Sequence, residues 1–323
     1  DGQFSLEAKL EVYAEQRRKS DAKQTSIEAS KQLRNRLNYL RQIGGTSAVQ
    51  RWKLRVVATT VDACFDVTTA APVMQTYESI SVTPTSDYVG AEVSGIDLRE
   101  KPDARVLSEL RRAFAEHGVL FFRDQELSPE QHVAFAELWG PININRFFKS
   151  VDGHPSVAEV LKEPHHERNV GGRWHTDHSY DTAPALGSAL YAKEVPSVGG
   201  DTQFLSMGAV FDALSDGLKD TLRGLRARHS SRHVFGDKGR YKSAEQRKDW
   251  ADRMGNAELA TQDAVHPVVI KHPESGREIL YVNRSFTLGF EGWTDQESAP
   301  LLEYLYEFAV QPQFIFNFKW KVA

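Results

Sequence analysis

The chain has 323 residues, 40% of them hydrophobic and 26% charged, with a formal net charge of −4; it can bury a full core, and its charge gives no electrostatic reason to expect nucleic acid or an anionic membrane as partner. Its one cysteine, Cys64, excludes an internal disulfide and a thiolate zinc cluster. No run of about 18 apolar residues marks a transmembrane helix, and the N-terminal stretch lacks the apolar core of a secretory signal, so a cytoplasmic location is the default expectation.

In chain order, residues 1–50 are rich in Lys, Arg, Glu, Gln and Ala. Ile27, Leu33, Leu37 and Leu40 fall at mostly helical spacing before Gly44-Gly45, which predicts one or two amphipathic helices. Residues 54–73 read as β-prone. From Met74 the texture changes, so the expected organisation is a helical or irregular extension over 1–73 and a second domain over 74–323. The stretch around Ser79–Pro84 alternates like a half-buried strand. Val106, Leu110, Ala113 and Phe114 share one helical face over Arg105–His117, and Gly118–Gln125 holds a compact buried strand. Ser128-Pro129-Glu130-Gln131 is a helix start with a Ser cap, Pro at the first position and Gln closing a capping box. Residues 187–195 and 266–284 read as strands and Met207–Leu225 as one helix. Many strands with few helices indicate a mainly β sandwich or jelly roll (a double-stranded β-helix) with helical cover.

The segment Gly171-Gly172-Arg173-Trp174-His175-Thr176-Asp177 carries the chemistry. On a strand, side chains two apart share a face, so His175 and Asp177 would converge on one point. An imidazole and a carboxylate are two thirds of the facial triad of non-haem Fe(II) oxygenases. The competing reading is a pair of surface or cap residues, since H-x-D alone is common by chance. The context decides between them.

From about Met74 to Ala323 the sequence resembles the taurine dioxygenase (TauD/TfdA) family. The pieces that carry the resemblance are Gly90-Ala91-Glu92-Val93-Ser94-Gly95-Ile96-Asp97-Leu98, then Val119 through Gln125, then Trp174-His175-Thr176-Asp177. Pro196-Ser197-Val198-Gly199-Gly200-Asp201-Thr202 follows, then His266-Pro267-Val268-Val269 and Tyr281-Val282-Asn283. The resemblance implies Fe(II) bound by His175, Asp177 and a distal His. It also implies 2-oxoglutarate as cosubstrate, split by O2 to succinate and CO2 while oxygen is delivered to an unactivated C–H bond. Asp177 keeps the carboxylate that related halogenases lack, implying oxygenation. Thr202 matches the hydroxyl donor to 2-oxoglutarate, against a plain reading as a strand-start Thr. Phe235 and Phe286 match positions lining the substrate pocket, or are ordinary core aromatics. Trp174 reads as packing, and His117 as a cation at a helix C-terminus. His165, His166 and His178 read as solvated or structural, with His178 on the face opposite Asp177.

The sequence also departs from the family. Asn145 and Phe148 stand where the taurine branch has a His and a Tyr, and Gly171 replaces an Asn. Taurine is therefore disfavoured, and the texture is closer to the phenoxyalkanoate-cleaving branch, which implies a small organic acid hydroxylated beside a heteroatom. Arg146 reads as an anion contact or a surface residue. The resemblance allows a homo-oligomer. The chain starts at Asp1 and ends at Ala323, before the family's W-D-N-R strand, distal His and 2-oxoglutarate-binding Arg; the expectation is a partial reading frame starting naturally at Met74, with weak metal binding and little turnover. The competing readings are a non-catalytic remnant or binding protein and, more remotely, a cupin-like metal enzyme of another reaction class.

Overall fold

In the computed structural model the described residues are 52–56 (backbone only), 76–166, 169–237, 239 and 253–322. The helical pattern read over 26–43 and most of the 1–73 extension lie outside them. The chain divides into a unit over Asp1–Val49 and one over Gln50–Ala323, and all described residues belong to the second. This unit is mainly β with a few helices. Among the described residues no helix is long and apolar enough to cross a membrane.

Strand β1 (Trp52–Val56) lies upstream of the boundary expected at Met74. Strands β2 (Ser81–Pro84), β3 (Ala91–Ser94) and β4 (Leu120–Phe122) form one sheet, with β2 antiparallel and β4 parallel to β3. The parallel step is made possible by helix α1 (Ala104–His117), which crosses between β3 and β4. Asp103 caps α1 by accepting from Val106 N–H, and Gly118 at φ 72° ends it. Ile80, Val93 and Leu110 form the buried contact between sheet and helix. Glu109, on the same helix, is buried, and its carboxylate accepts the N–H groups of Glu78, Ser79 and Ile80 at 3.0, 3.0 and 3.2 Å. His117 ends α1 half-buried, and burial pulls its pKa down.

Helix α2 (Pro129–Glu137) starts with the full Ser128/Gln131 capping box. Strands β5 (Ser150–Val151), β6 (His154–Lys162) and β7 (Leu190–Tyr191) then form a sheet ordered β5-β6-β1-β7. Here β1 runs antiparallel to β6, with Trp52 opposite Lys162. Only two residues of the stretch expected as strand over 187–195 pair, at β7.

Strand β8 (Thr202–Leu205) leads into helices α3 (Met207–Ala213) and α4 (Asp216–Arg223). The single helix expected over Met207–Leu225 is broken because Leu214 turns extended (ψ 154°) and is buried, and Ser215 sits extended as the N-cap of a new helix. Strand β9 (Arg226–Ser230), helix α5 (Arg232–Phe235) and strand β10 (Asp263–Pro267) follow. The region expected as strand over 266–284 resolves into the end of β10, β11 (Val269–Lys271) and β12 (Glu278–Leu280). Strand β13 (Thr287–Phe290) flanks β9 on the side opposite β10. Helix α6 (Asp295–Ala309) carries a second capping box, Thr294/Glu297, and β14 (Ile315–Phe318) pairs with β8. The main core joins these elements through Phe211, Leu222, Val268, Leu280, Phe290 and Leu305. A separate buried cluster of Phe147, Tyr180, Val234 and Phe286 backs the site.

Candidate metal centre

His175 and Asp177 lie in no strand; the extended segment turns directly after them. His178 adopts φ 54°, and the N–H of Asp181 donates to its carbonyl at 2.9 Å. A left-handed residue costs on the order of 1 kcal/mol, and His is among the types that tolerate it best. The two side chains still converge: His175 Nε2 stands 3.1 Å from Asp177 Oδ1. Convergence was the sequence expectation, but the segment that carries the pair is not a strand.

The tautomer of His175 is set by its other nitrogen. Nδ1 lies 2.7 Å from the Arg173 carbonyl, which can only accept, so Nδ1 carries a proton and Nε2 is the atom offered to Asp177 or to a metal. The second carboxylate oxygen of Asp177 accepts from Ser188 Oγ at 2.8 Å. Burial works against charge on both groups. For His175 the Asp177 hydrogen bond and charge, with the Arg173 carbonyl, outweigh it and push the pKa up to about 9. For Asp177 the hydrogen bond and charge of His175, with Ser188, hold the carboxyl far below the usual carboxylate range. The pair is a hydrogen-bonded ion pair in a recess that keeps some access to solvent.

Two donors bound at right angles to a first-row metal at about 2.1 Å are roughly 3.0 Å apart. The observed 3.1 Å therefore fits two neighbouring positions of an octahedral ion, which would replace the shared proton. Hard carboxylate and imidazole donors suit Fe(II) or Mn(II). Among the described residues no group of three His, Cys, Asp or Glu side chains is placed to hold a metal.

The remaining candidates are distributed as follows. Phe286 is buried and meets the His175 ring edge-on at 6.3 Å. It packs on Tyr180 at 4.8 Å and lies 6.0 Å from Phe235, and Phe235 stacks on Phe147 at 4.2 Å. Phe148 packs against the same cluster. Asn145 Oδ1 accepts the N–H groups of Phe147 and Phe148 at 2.9 and 3.1 Å, fixing the turn that delivers both rings. Gly171, at φ 68°, passes so close to the imidazole that a Cβ would stand 3.4 Å from His175 Cε1. The Thr202 hydroxyl accepts from Trp320 Nε1 at 2.8 Å, and Trp320 lines the same cavity as His175 and Asp177. Arg146 faces inward, pairing with Asp181 at 2.5 Å. His178 is buried and bonds to Asp181. A cavity of about 480 Å3 opens on the pair, with Phe135, Trp139, Ser188, Phe318 and Trp320 in its wall.

Ser188 and Asp181 were missed by sequence reasoning. They lie 11 and four residues beyond Asp177, and no local pattern distinguishes either from an ordinary loop polar residue.

Residues 81–322 match the family described as "Taurine catabolism dioxygenase TauD, TfdA family". The (S)-phenoxypropionate/alpha-ketoglutarate-dioxygenase of Sphingobium herbicidovorans is 32% identical over 252 residues, spanning 75% of this chain and 83% of that protein. The alpha-ketoglutarate-dependent 2,4-dichlorophenoxyacetate dioxygenase of Cupriavidus pinatubonensis is 32% identical over 266 residues, spanning 76% of this chain and 87% of that one. Among solved structures, a taurine dioxygenase from Burkholderia xenovorans superposes with a TM-score of 0.62 at 34% identity, covering 76% of this chain and 79% of its own.

Proposed function

Because this chain belongs to the taurine catabolism dioxygenase TauD, TfdA family, we propose that it is a 2-oxoglutarate-dependent dioxygenase whose Fe(II) is held by His175 and Asp177, and that it hydroxylates a small organic acid beside a heteroatom. The observation that carries this reading is the 3.1 Å approach of His175 Nε2 to Asp177 Oδ1, with Nδ1 committed to the Arg173 carbonyl. Iron, O2 and 2-oxoglutarate supply the chemistry: the oxo-acid is split to succinate and CO2, and one oxygen atom enters a substrate C–H bond.

The protein's own residues orient and enclose. Arg173 keeps the imidazole proton on Nδ1 and so directs Nε2 inward. Ser188 holds the far oxygen of Asp177. Phe286 meets the His175 ring and, with Phe235 and Phe148, packs the apolar cluster behind it, while Phe135, Trp139, Phe318 and Trp320 stand in the wall of the cavity that opens on the pair. Gly171 leaves room beside the imidazole. Thr202 accepts from Trp320 and so keeps its own O–H to donate to 2-oxoglutarate.

The relatives named for phenoxypropionate and dichlorophenoxyacetate, together with the aromatic wall, support an aryloxyalkanoate as substrate. The taurine dioxygenase likeness supports a sulfonate or sulfate as the second class. We read the sheets as the faces of a double-stranded β-helix over 74–323, with β1 supplied from the preceding segment.

The test is succinate release from protein reconstituted anaerobically with Fe(II) and 2-oxoglutarate, then exposed to O2 with a panel of aryloxyalkanoates, alkyl sulfates and sulfonates. Release is expected to require Fe(II) and 2-oxoglutarate and to vanish in His175→Ala and Asp177→Ala. It is expected to be slow, because the described residues bring two protein ligands to the metal. Turnover that survives His175→Ala would refute the site. The same observation of two ligands favours, as second reading, a non-catalytic protein; Fe(II) binding with no succinate from any panel member would establish it.

A further inference from the structure

We propose that Asp181 is a positioning residue for the metal-binding pair: its carboxylate clamps His178 in the left-handed conformation that sets the direction in which Asp177 leaves the turn. The proposal rests on the reading of His175 and Asp177 as the ligand pair.

His178 follows Asp177 directly, so its φ of 54° decides how the chain departs from the carboxylate. Residues other than glycine hold such a conformation only where their surroundings over-determine it. Asp181 does this from both ends. Its N–H donates to the His178 carbonyl at 2.9 Å, and its Oδ2 accepts from His178 Nδ1 at 2.9 Å. The His178 ring is buried, at 4% exposure, so water offers little replacement for that partner.

The clamp is itself anchored. Asp181 Oδ1 takes Arg146 Nη2 at 2.5 Å, and the Arg146 carbonyl accepts from Asn256 Nδ2 at 3.0 Å. The Asp181 carbonyl accepts from His266 Nε2 on β10 at 2.9 Å. One acidic side chain thus joins the metal turn to the loop that carries Phe147 and Phe148 and, through its backbone, to the β9–β10–β13 sheet. Groups that hold ligands in place matter because small displacements of a ligand weaken the metal site severely. In this arrangement one Nη of Arg146 is committed to Asp181.

The experiment measures Mn(II) affinity of the 323-residue chain by electron paramagnetic resonance, with Mn(II) as an oxygen-stable probe of the Fe(II) site. Asp181→Ala is expected to weaken binding by about 10–100-fold, the effect of removing a partner that orients a ligand. Asp181→Asn keeps an oxygen to accept from His178 Nδ1 and is expected to retain most of the affinity. In a His178→Gly background, where glycine adopts positive φ freely and the ring to be clamped is gone, Asp181→Ala is expected to cost less than about threefold, within the additivity error for independent sites.

An Asp181→Ala loss of equal size in both backgrounds would overturn the proposal, because Asp181 would then act on general packing and not through His178. Unchanged Mn(II) affinity in Asp181→Ala would overturn it as well, provided His175→Ala abolishes binding. If His175→Ala also binds Mn(II) normally, it is the ligand assignment that fails. Thermal unfolding of each variant separates lost affinity from lost fold.

Discussion

Ser188→Ala removes one atom that matters: the hydroxyl that donates to Asp177 Oδ2 at 2.8 Å. A hydrogen bond to a charged acceptor is worth about 1.5–3 kcal/mol net, equivalent to roughly 10–150-fold in an equilibrium constant. The Asp177 side chain is 46% exposed, so water can take over part of the lost bond, and the lower end applies. The hydroxyl also acts on both metal-free and metal-bound states, and only its role in aiming the carboxylate contributes to affinity. We therefore expect Ser188→Ala to weaken Fe(II) binding about tenfold, at the low end of the effect of outer groups on ligand affinity. Ser188→Thr, which keeps the hydroxyl, should bind within a factor of about three. The assay is anaerobic competition between the protein and a chromophoric Fe(II) chelator. Unchanged affinity in Ser188→Ala, alongside loss of binding in His175→Ala, would show that Asp177 is aimed by something other than this hydroxyl.

Two further predictions concern stability. Glu109→Ala would strand the N–H groups of Glu78, Ser79 and Ile80 at the entry to β2, and is expected to cost on the order of 3–5 kcal/mol; Glu109→Gln, which keeps one acceptor, should cost less, and a melting temperature unchanged in both would contradict the anchoring role. For the metal-free protein, burial lowers the pKa of His132 to about 4 and, with the His266 charge, that of His229 to about 3. Both groups refuse a proton that the unfolded chain accepts near pH 6.5, so each subtracts about 1.4 kcal/mol of stability per pH unit as pH falls from about 6.5 toward its native value. Urea unfolding between pH 7 and pH 5 should show stability falling with pH, and His132→Leu should flatten the slope by one group's share. A flat profile, or one that rises toward acid, would contradict the buried neutral state. The raised pKa of His175 acts in a different window, above pH 6.5, where its contribution is lost as pH rises toward about 9.

Local signals carried much of the fold. The start of α2 was legible because capping is a property of three or four consecutive residues, here the Ser128/Gln131 box, whereas α1 was read from the spacing of Val106, Leu110, Ala113 and Phe114 and its Asp103 cap emerges only in the structure. What was not legible depends on partners distant in sequence. The pairing of Trp52 with Lys162 spans more than a third of the chain, and nothing in the texture around residue 52 announces it. Helix periodicity ran through Leu214 and Ser215, but the burial of Leu214 in the core outweighed the propensity to continue. At the site, the H-x-D pair was visible as residue types at a spacing, while the geometry that makes it converge was not. Phe286 and Phe235 could be placed near a pocket only by resemblance. Ser188 and Asp181 gave no signal, because their roles exist only through contacts with Asp177 and His178.

The segment proposed to hold the metal also poses a physical problem that its neighbours solve. Residues 174–177 belong to no sheet, so no ladder of backbone hydrogen bonds fixes them, yet ligand positions must hold to within about half an ångström for a working site. The turn Asn283–Phe286 substitutes for the ladder. Ser285 Oγ donates to the Trp174 carbonyl at 3.1 Å, and Asn283 Nδ2 donates to Ser179 Oγ at 2.9 Å. Phe286 closes on the His175 ring. Asn283 Oδ1 rigidifies the turn by accepting the N–H groups of Ser285 and Phe286 at 3.2 and 2.9 Å. Asn283, Ser285 and Phe286 are buried, so these bonds face little competition from water and are the costly kind to leave unmade. The segment is thus gripped just before the ligand pair by Ser285, beside it by Phe286, and just after it by Asn283 and Asp181. An irregular backbone can hold two ligands in register under these conditions because each of its loose ends is tied by a side chain from a packed element. This places part of the control of the His175/Asp177 geometry in Asn283, Ser285 and Phe286, more than a hundred positions away from the pair they steady.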